Sequence, residues 1–185
     1  PQHRTGRDLP IPISATVDDP DAVGHDRLLN ALGAHATTKQ ACVIIDTGTA
    51  VTVDFVDGVG SFHGGAIMPG VQMMLDALHE RAVSLPGVRF TPPDDEPFGT
   101  DTRSAMLLGV AQAVRGGAHS LIDRYAQHYD AYPQIIATGG NAAELFHSDD
   151  LVEHIVPDLQ LIGIRIVCER LIDEERQADD HDTQP

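Results

Sequence analysis

Ala41-Cys42-Val43-Ile44-Ile45-Asp46 runs apolar without a break until its last residue, and this stretch constrains the fold more than any other. A short continuous apolar run bounded by turn residues reads as a buried strand. After the bend Asp46-Thr47-Gly48-Thr49, residues Ala50 to Asp57 set Val51, Val53 and Phe55 against Thr52, Asp54 and Val56, then turn at Asp57-Gly58. Strand, tight bend, strand and turn make a hairpin. The bend presents a carboxylate, two hydroxyls and a glycine together at a strand end.

Around this hairpin the chain alternates helix and strand signals. Pro1 to Pro20 is polar and reads as an extended lead-in; Asp18, Asp19 and Asp21 then suit the start of a short helix over Arg27–Ala34. Gly64-Gly65-Ala66-Ile67-Met68-Pro69-Gly70 reads as a backbone-dominated segment leading into a helix from Val71 to Ser84, and Pro86 to Pro97 as a loop. Asp101 or Thr102 caps a long helix through Val114, with more helix over Leu121–Tyr132. Gln134–Thr138 reads as a strand that ends in Thr138-Gly139-Gly140 and feeds a helix from Asn141. A last helix ends near Ile172, and the acid-rich residues from Asp173 onward suit a disordered tail. The mixture implies an α/β layered domain. Its expected divisions are a lead-in at 1–22, a lobe at 23–172 and a tail at 173–185.

Charge narrows the partners. A formal net charge of −16 argues against a protein that wraps nucleic-acid phosphates. It leaves room for nucleotides, whose phosphates are held by backbone N–H groups, local cations and metals. No apolar stretch approaches the roughly 20 residues that span a bilayer, and no signal-peptide pattern is present. Cys42 and Cys168 sit in apolar runs without metal spacing, so both are expected to be buried free thiols. A cytoplasmic setting fits.

Three constellations carry chemistry. In Asp46-Thr47-Gly48-Thr49, Gly48 lets the backbone approach a ligand, the Thr hydroxyls can donate to phosphate, and Asp46 can hold a hard cation. The plain alternative is a hairpin whose side chains satisfy their own turn. The same tetrapeptide type opens aspartic proteases, but those are β-rich and carry a second such loop. Thr138-Gly139-Gly140 lies at another strand end, where helix N-terminal amides can face an anion; a tight strand-to-helix turn explains it equally. In Gly24-His25-Asp26-Arg27, Asp26 can act as general base on an alcohol while Arg27 grips a carboxylate. There the alternative is a capping Asp beside a solvated Arg. The histidines show no zinc spacing.

Taken in order, V-G-H-D-R-L-L-N-A, I-I-D-T-G-T-A-V-T-V-D, G-G-A-I-M-P-G, G-T-D-T-R-S-A-M-L-L-G and I-I-A-T-G-G-N-A resemble the type III pantothenate kinases, from Val23 to about Arg170. The resemblance implies a ribonuclease-H-like, actin-like lobe with a mixed sheet flanked by helices. It implies ATP-dependent phosphorylation of pantothenate, the first step of coenzyme A biosynthesis. Asp26 would take the proton of the pantothenate hydroxyl, with Gly24, His25, Arg27 and Thr102 in the substrate pocket. Asp46 would bind a monovalent cation, potassium or ammonium. Thr49 and Gly48 would contact ATP, with Thr138, Gly139 and Gly140 near the nucleotide and magnesium on its phosphates. A homodimer is implied too. The family's Asp-x-Gly-Asn-Thr phosphate loop has no counterpart before Asp26, and the first residue is Pro1. The expectation is therefore a C-terminal portion with the N-terminal lobe missing, ahead of the alternative of a catalytically incomplete ligand-binding or regulatory relative. A kinase of the same superfamily acting on a sugar or acyl acid is a third reading.

Overall fold

A computed structural model describes residues 9–182 and puts the apolar run and its hairpin partner in the middle of a six-stranded sheet. The strands are β1 (Ser14–Ala15), β2 (Cys42–Thr47), β3 (Ala50–Val56), β4 (Ser61–Pro69), β5 (Gln134–Thr138) and β6 (His154–Ile155). The helices are α1 (His25–Thr38), α2 (Val71–Arg81), α3 (Thr102–Tyr129), α4 (Ala142–Phe146) and α5 (Leu159–Asp182). Across the sheet the order is β1-β4-β3-β2-β5-β6. Strands β2, β3 and β4 form an antiparallel meander, while β5 joins β2, β6 joins β5 and β1 joins β4 in parallel. This is the mixed sheet flanked by helices that the sequence implied.

The two-residue period of the strands sorts the core into two faces. Val43, Ile45, Val51, Val53, Phe55, Ile135 and Ala137 pack with buried residues of α2, α3 and α4, such as Leu75, Val110, Val114 and Leu145. Cys42, Ile44, Val56, Phe62 and Ile136 pack with Ala31 and Ala34 of α1 and Leu159 of α5. On this second face the apolar residues stop short of the strand ends. By the same alternation Asp46, Thr52, Asp54 and Thr138 follow them, so α1 lies across a face that is apolar under its C-terminal half and polar under its start.

Several elements differ from the sequence reading. Gly64–Pro69 is part of the nine-residue strand β4, because its backbone pairs with β3 from Ala50 to Asp54. The two helical stretches between Thr102 and Tyr132 are one 28-residue helix, capped by reciprocal bonds between Asp101 and Ser104. Helix α1 is longer than expected at both ends. Strands β1 and β6 are too short for any periodicity to reveal. Helix α5 runs through Asp182, past the end expected near Ile172; residues 183–185 of the expected tail lie outside the described residues. Cys42 is buried as expected, but Cys168 is exposed, since it faces away from the packed side of α5. Among the described residues no helix is long and apolar enough to cross a membrane.

Candidate functional site

The site is built where β2 and β5 end side by side. Their parallel register sets Asp46 opposite Thr138, so Asp46-Thr47-Gly48-Thr49 and Thr138-Gly139-Gly140, far apart in sequence, become neighbours. The Thr47 hydroxyl donates to the Thr138 carbonyl at 3.1 Å, and the Asn141 N–H donates to the Thr47 carbonyl at 3.2 Å. Gly139 has φ +92° and lies so close that a Cβ there would stand 2.4 Å from Asp46 Oδ1 and 2.6 Å from the Thr47 nitrogen. The following helix, α4, has only five residues. What this turn offers a ligand is therefore local backbone rather than the dipole of a long helix. Gly140 faces open space.

Helix α1 brings the second part. Asp26 and Arg27 stand in its first turn, with Gly24 as the residue before the helix. Asp26 is exposed and near enough that its charge acts on Asp46, Asp54 and Arg27. Asn30, one turn on, donates from Nδ2 to Asp46 Oδ2 at 2.8 Å and so ties α1 to the end of β2. Asn30 is 3% exposed, and its Oδ1 is buried without a partner. Burial pushes the Asp46 carboxyl up; the Asn30 hydrogen bond opposes this and the Asp26 charge adds to it.

Arg27 does not stand free. Its Nε donates to both oxygens of Asp54 at 3.1 Å, and its Nη2 also bonds Oδ1. The guanidinium lies 5.5 Å from the centre of the Phe62 ring. Asp54 is 2% exposed; burial pushes its carboxyl up, and the bonds from Arg27 pull it down. Those same bonds raise Arg27. The carboxylate that Arg27 grips here is thus one of the protein's own.

Of the remaining expected residues, Gly48 and Thr49 adjoin this site, whereas Thr102 stands apart from it. Thr49 and Gly48 line a cleft of about 470 Å³ with Gln72, Met73, Asp76 and Glu80. That lining has two acids and no base, so polyphosphate entering it would need accompanying cations. Thr102 opens α3 and lines an apolar groove with Met74, Leu78, Leu85 and Met106, whose lining includes none of the residues around Asp46. His25 is exposed at the first position of α1. Asn30 and Asp54 escaped the sequence reading. Two signals could have found them: Asn30 follows Asp26 by four residues, on one helix face, and Asp54 is the one charged residue in strand β3.

The family model for type III pantothenate kinase matches residues 2–124. The chain belongs to the type III pantothenate kinase family. A type III pantothenate kinase of Rhodospirillum rubrum is 38% identical over 163 residues, covering 88% of this chain and 63% of the relative. One from Gluconobacter oxydans is 38% identical over 158 residues, covering 85% of this chain and 58% of the relative. The chain thus spans about three fifths of the length of these curated relatives. Among solved structures, a protein of Campylobacter jejuni named as a conserved Baf family transcriptional activator superposes with TM-score 0.61 at 20% identity, covering 88% of this chain and 70% of that one. The Alp12 filament structure gives 0.52 at 12% identity, over 77% of this chain and 53% of that one. At such identities these two likenesses speak to the fold alone.

Proposed function

We propose that this chain carries the acid, the cation seat and part of the nucleotide edge of an ATP-dependent pantothenate kinase that opens coenzyme A biosynthesis. The observation that carries this reading is the convergence of Asp26, Asp46 and the Gly139 turn at the adjoining ends of β2 and β5 in a chain of the pantothenate kinase family. Asp26 is exposed at a helix start, where it can receive the proton of a primary hydroxyl as that oxygen attacks the terminal phosphorus of ATP. The O–P bond to the substrate forms, the bond to ADP breaks, and the hydroxyl proton passes to Asp26. Gly48, Thr49 and Gly140 are exposed, so phosphate and nucleotide atoms can approach them, while the Gly48 N–H already donates to the Ala50 carbonyl and Gly139 is held against Asp46 and Thr47.

A hard monovalent cation, potassium or ammonium, fits the donors beside Asp46. They comprise a half-buried carboxylate and the buried, unpartnered Asn30 Oδ1, both of the oxygen type such ions take. When bound, the ion would offset the negative charge that ATP and its magnesium bring beside two carboxylates. A cytoplasmic homodimer belongs to the same proposal, on the strength of the family.

The test is ADP release by the protein at its native length, with and without pantothenate and potassium. Release that requires both supports the reading, and Asp26→Asn should lower it by about 10²–10⁴-fold. Full activity in that variant would remove Asp26 as the base. A second reading is a ligand-binding or regulatory relative, suggested by the Campylobacter jejuni protein's name. Pantothenate binding without ADP release would favour it.

A further inference from the structure

Asp54 is an acid on the sheet face that α1 covers, where the neighbouring positions are filled by Ile44, Val56 and Phe62. Its side chain is 3% exposed. Burying a carboxylate and a guanidinium together does little for stability against well-packed apolar residues of the same size, because desolvation offsets the attraction. The strands also approach each other closely at this acid. Its cross-strand partner on β4 is Gly65, where a Cβ would stand 2.4 Å from Asp54 Oδ1 and 2.1 Å from the Val53 carbonyl oxygen. A register irregularity between Asp54 and Val56 marks the same place. Glycine inside a strand weakens it, and such sites often mark a close approach.

The fork from Asp54 engages Nε and Nη2 of Arg27, and the Phe62 ring lies against the guanidinium. Arg27 adjoins Asp26. Three residues on, Asn30 makes the companion tie to Asp46 on the next strand. Two polar ties from the start of α1 therefore reach two adjacent strands.

We propose that Asp54 is a positioning residue for the site, fixing Arg27 in a single orientation and, through it, the turn of α1 that carries Asp26. Asp54 does not touch substrate in this role. The inference rests on the pantothenate kinase reading above and deepens it. The fork from Asp54 takes Nε and Nη2, which leaves the Nη1 side of the guanidinium for the substrate's carboxylate, and losing that orientation weakens pantothenate more than ATP.

The experiment uses the protein at native length with Asp54→Asn, which keeps the shape and removes the charge. The expected result is a pantothenate KM raised about tenfold with the ATP KM within about twofold of wild type. Amide exchange in the first turns of α1 should quicken about tenfold, with little change in α3. A folded Asp54→Asn protein with an unchanged pantothenate KM overturns the proposal, even if its Tm falls, because a merely structural pair would behave that way. Unchanged exchange in α1 overturns it as well. Should Asp54→Asn fail to fold, Asp54→Glu keeps the charge and shifts the fork by one methylene; the same KM split is expected, and its absence overturns the proposal. A wild-type protein that phosphorylates no pantothenate removes the functional reading first, and this role with it. That outcome appears in the control, before any variant is compared.

Discussion

Gly139→Ala tests the central geometric claim, that the Asp46 bend and the Gly139 turn are pressed together. Two costs can be worked from the structure. At φ +92° an L side chain sits in a conformation disfavoured by about 1–2 kcal/mol. The new Cβ also meets backbone of Thr47 at 2.6 and 2.8 Å, as well as the Asp46 carboxylate, and forced overpacking of this kind costs about 1–3 kcal/mol. Their sum is about 2–5 kcal/mol. In a chain of this length each kcal/mol lowers Tm by about 2–4 °C. Equilibrium urea unfolding of the variant beside Gly140→Ala is the assay. Gly140 has the same residue type one step along, without the positive φ and with open space around it, so its alanine variant should stay within about 0.5 kcal/mol of wild type. Equal losses in both variants, or no loss at Gly139, would mean that the Asp46 bend and the Gly139 turn are not pressed together. A stable Gly140→Ala protein that bound ATP more weakly would locate the role of that glycine in the ligand rather than the fold.

Asp46 gives a pH prediction. Its folded-state pKa is raised above the ordinary 3.8, so the folded state holds the proton more tightly than the unfolded one. Stability of the ligand-free protein therefore falls as pH rises from about 3.8 to the raised value. Asp46→Asn should remove that decline, raise ligand-free Tm at neutral pH and abolish any potassium-dependent rise in Tm; a lower Tm at neutral pH would contradict it. Leu145 is fully buried behind the Gly139 turn, so Leu145→Ala should cost about 2–5 kcal/mol in urea unfolding. A loss below about 1 kcal/mol would mean that α4 can collapse onto the space.

The sequence by itself determined the buried hairpin, the strand at Gln134–Thr138, the capped start of α3 and the candidate residues in three short motifs. Each is local, carried by a run of apolar residues, a turn or a cap that needs no distant partner. Strand β4 was harder to read, because its glycines suit a turn as well as a strand until pairing with β3 decides. Strands β1 and β6 have two residues each and exist only because a neighbour supplies their hydrogen bonds. Only tertiary structure could join Asp46 to Thr138, since parallel register is set by a crossover of nearly a hundred residues rather than by either strand. Only tertiary structure could turn Arg27 inward as well. Beside Asp26 it reads as a ligand-facing cation, but the acid that claims it lies on β3, and a salt bridge between a helix and a strand leaves no period in the text. Asn30 and Asp54 escaped the sequence for the same reason: their partners arrive from elsewhere in the fold.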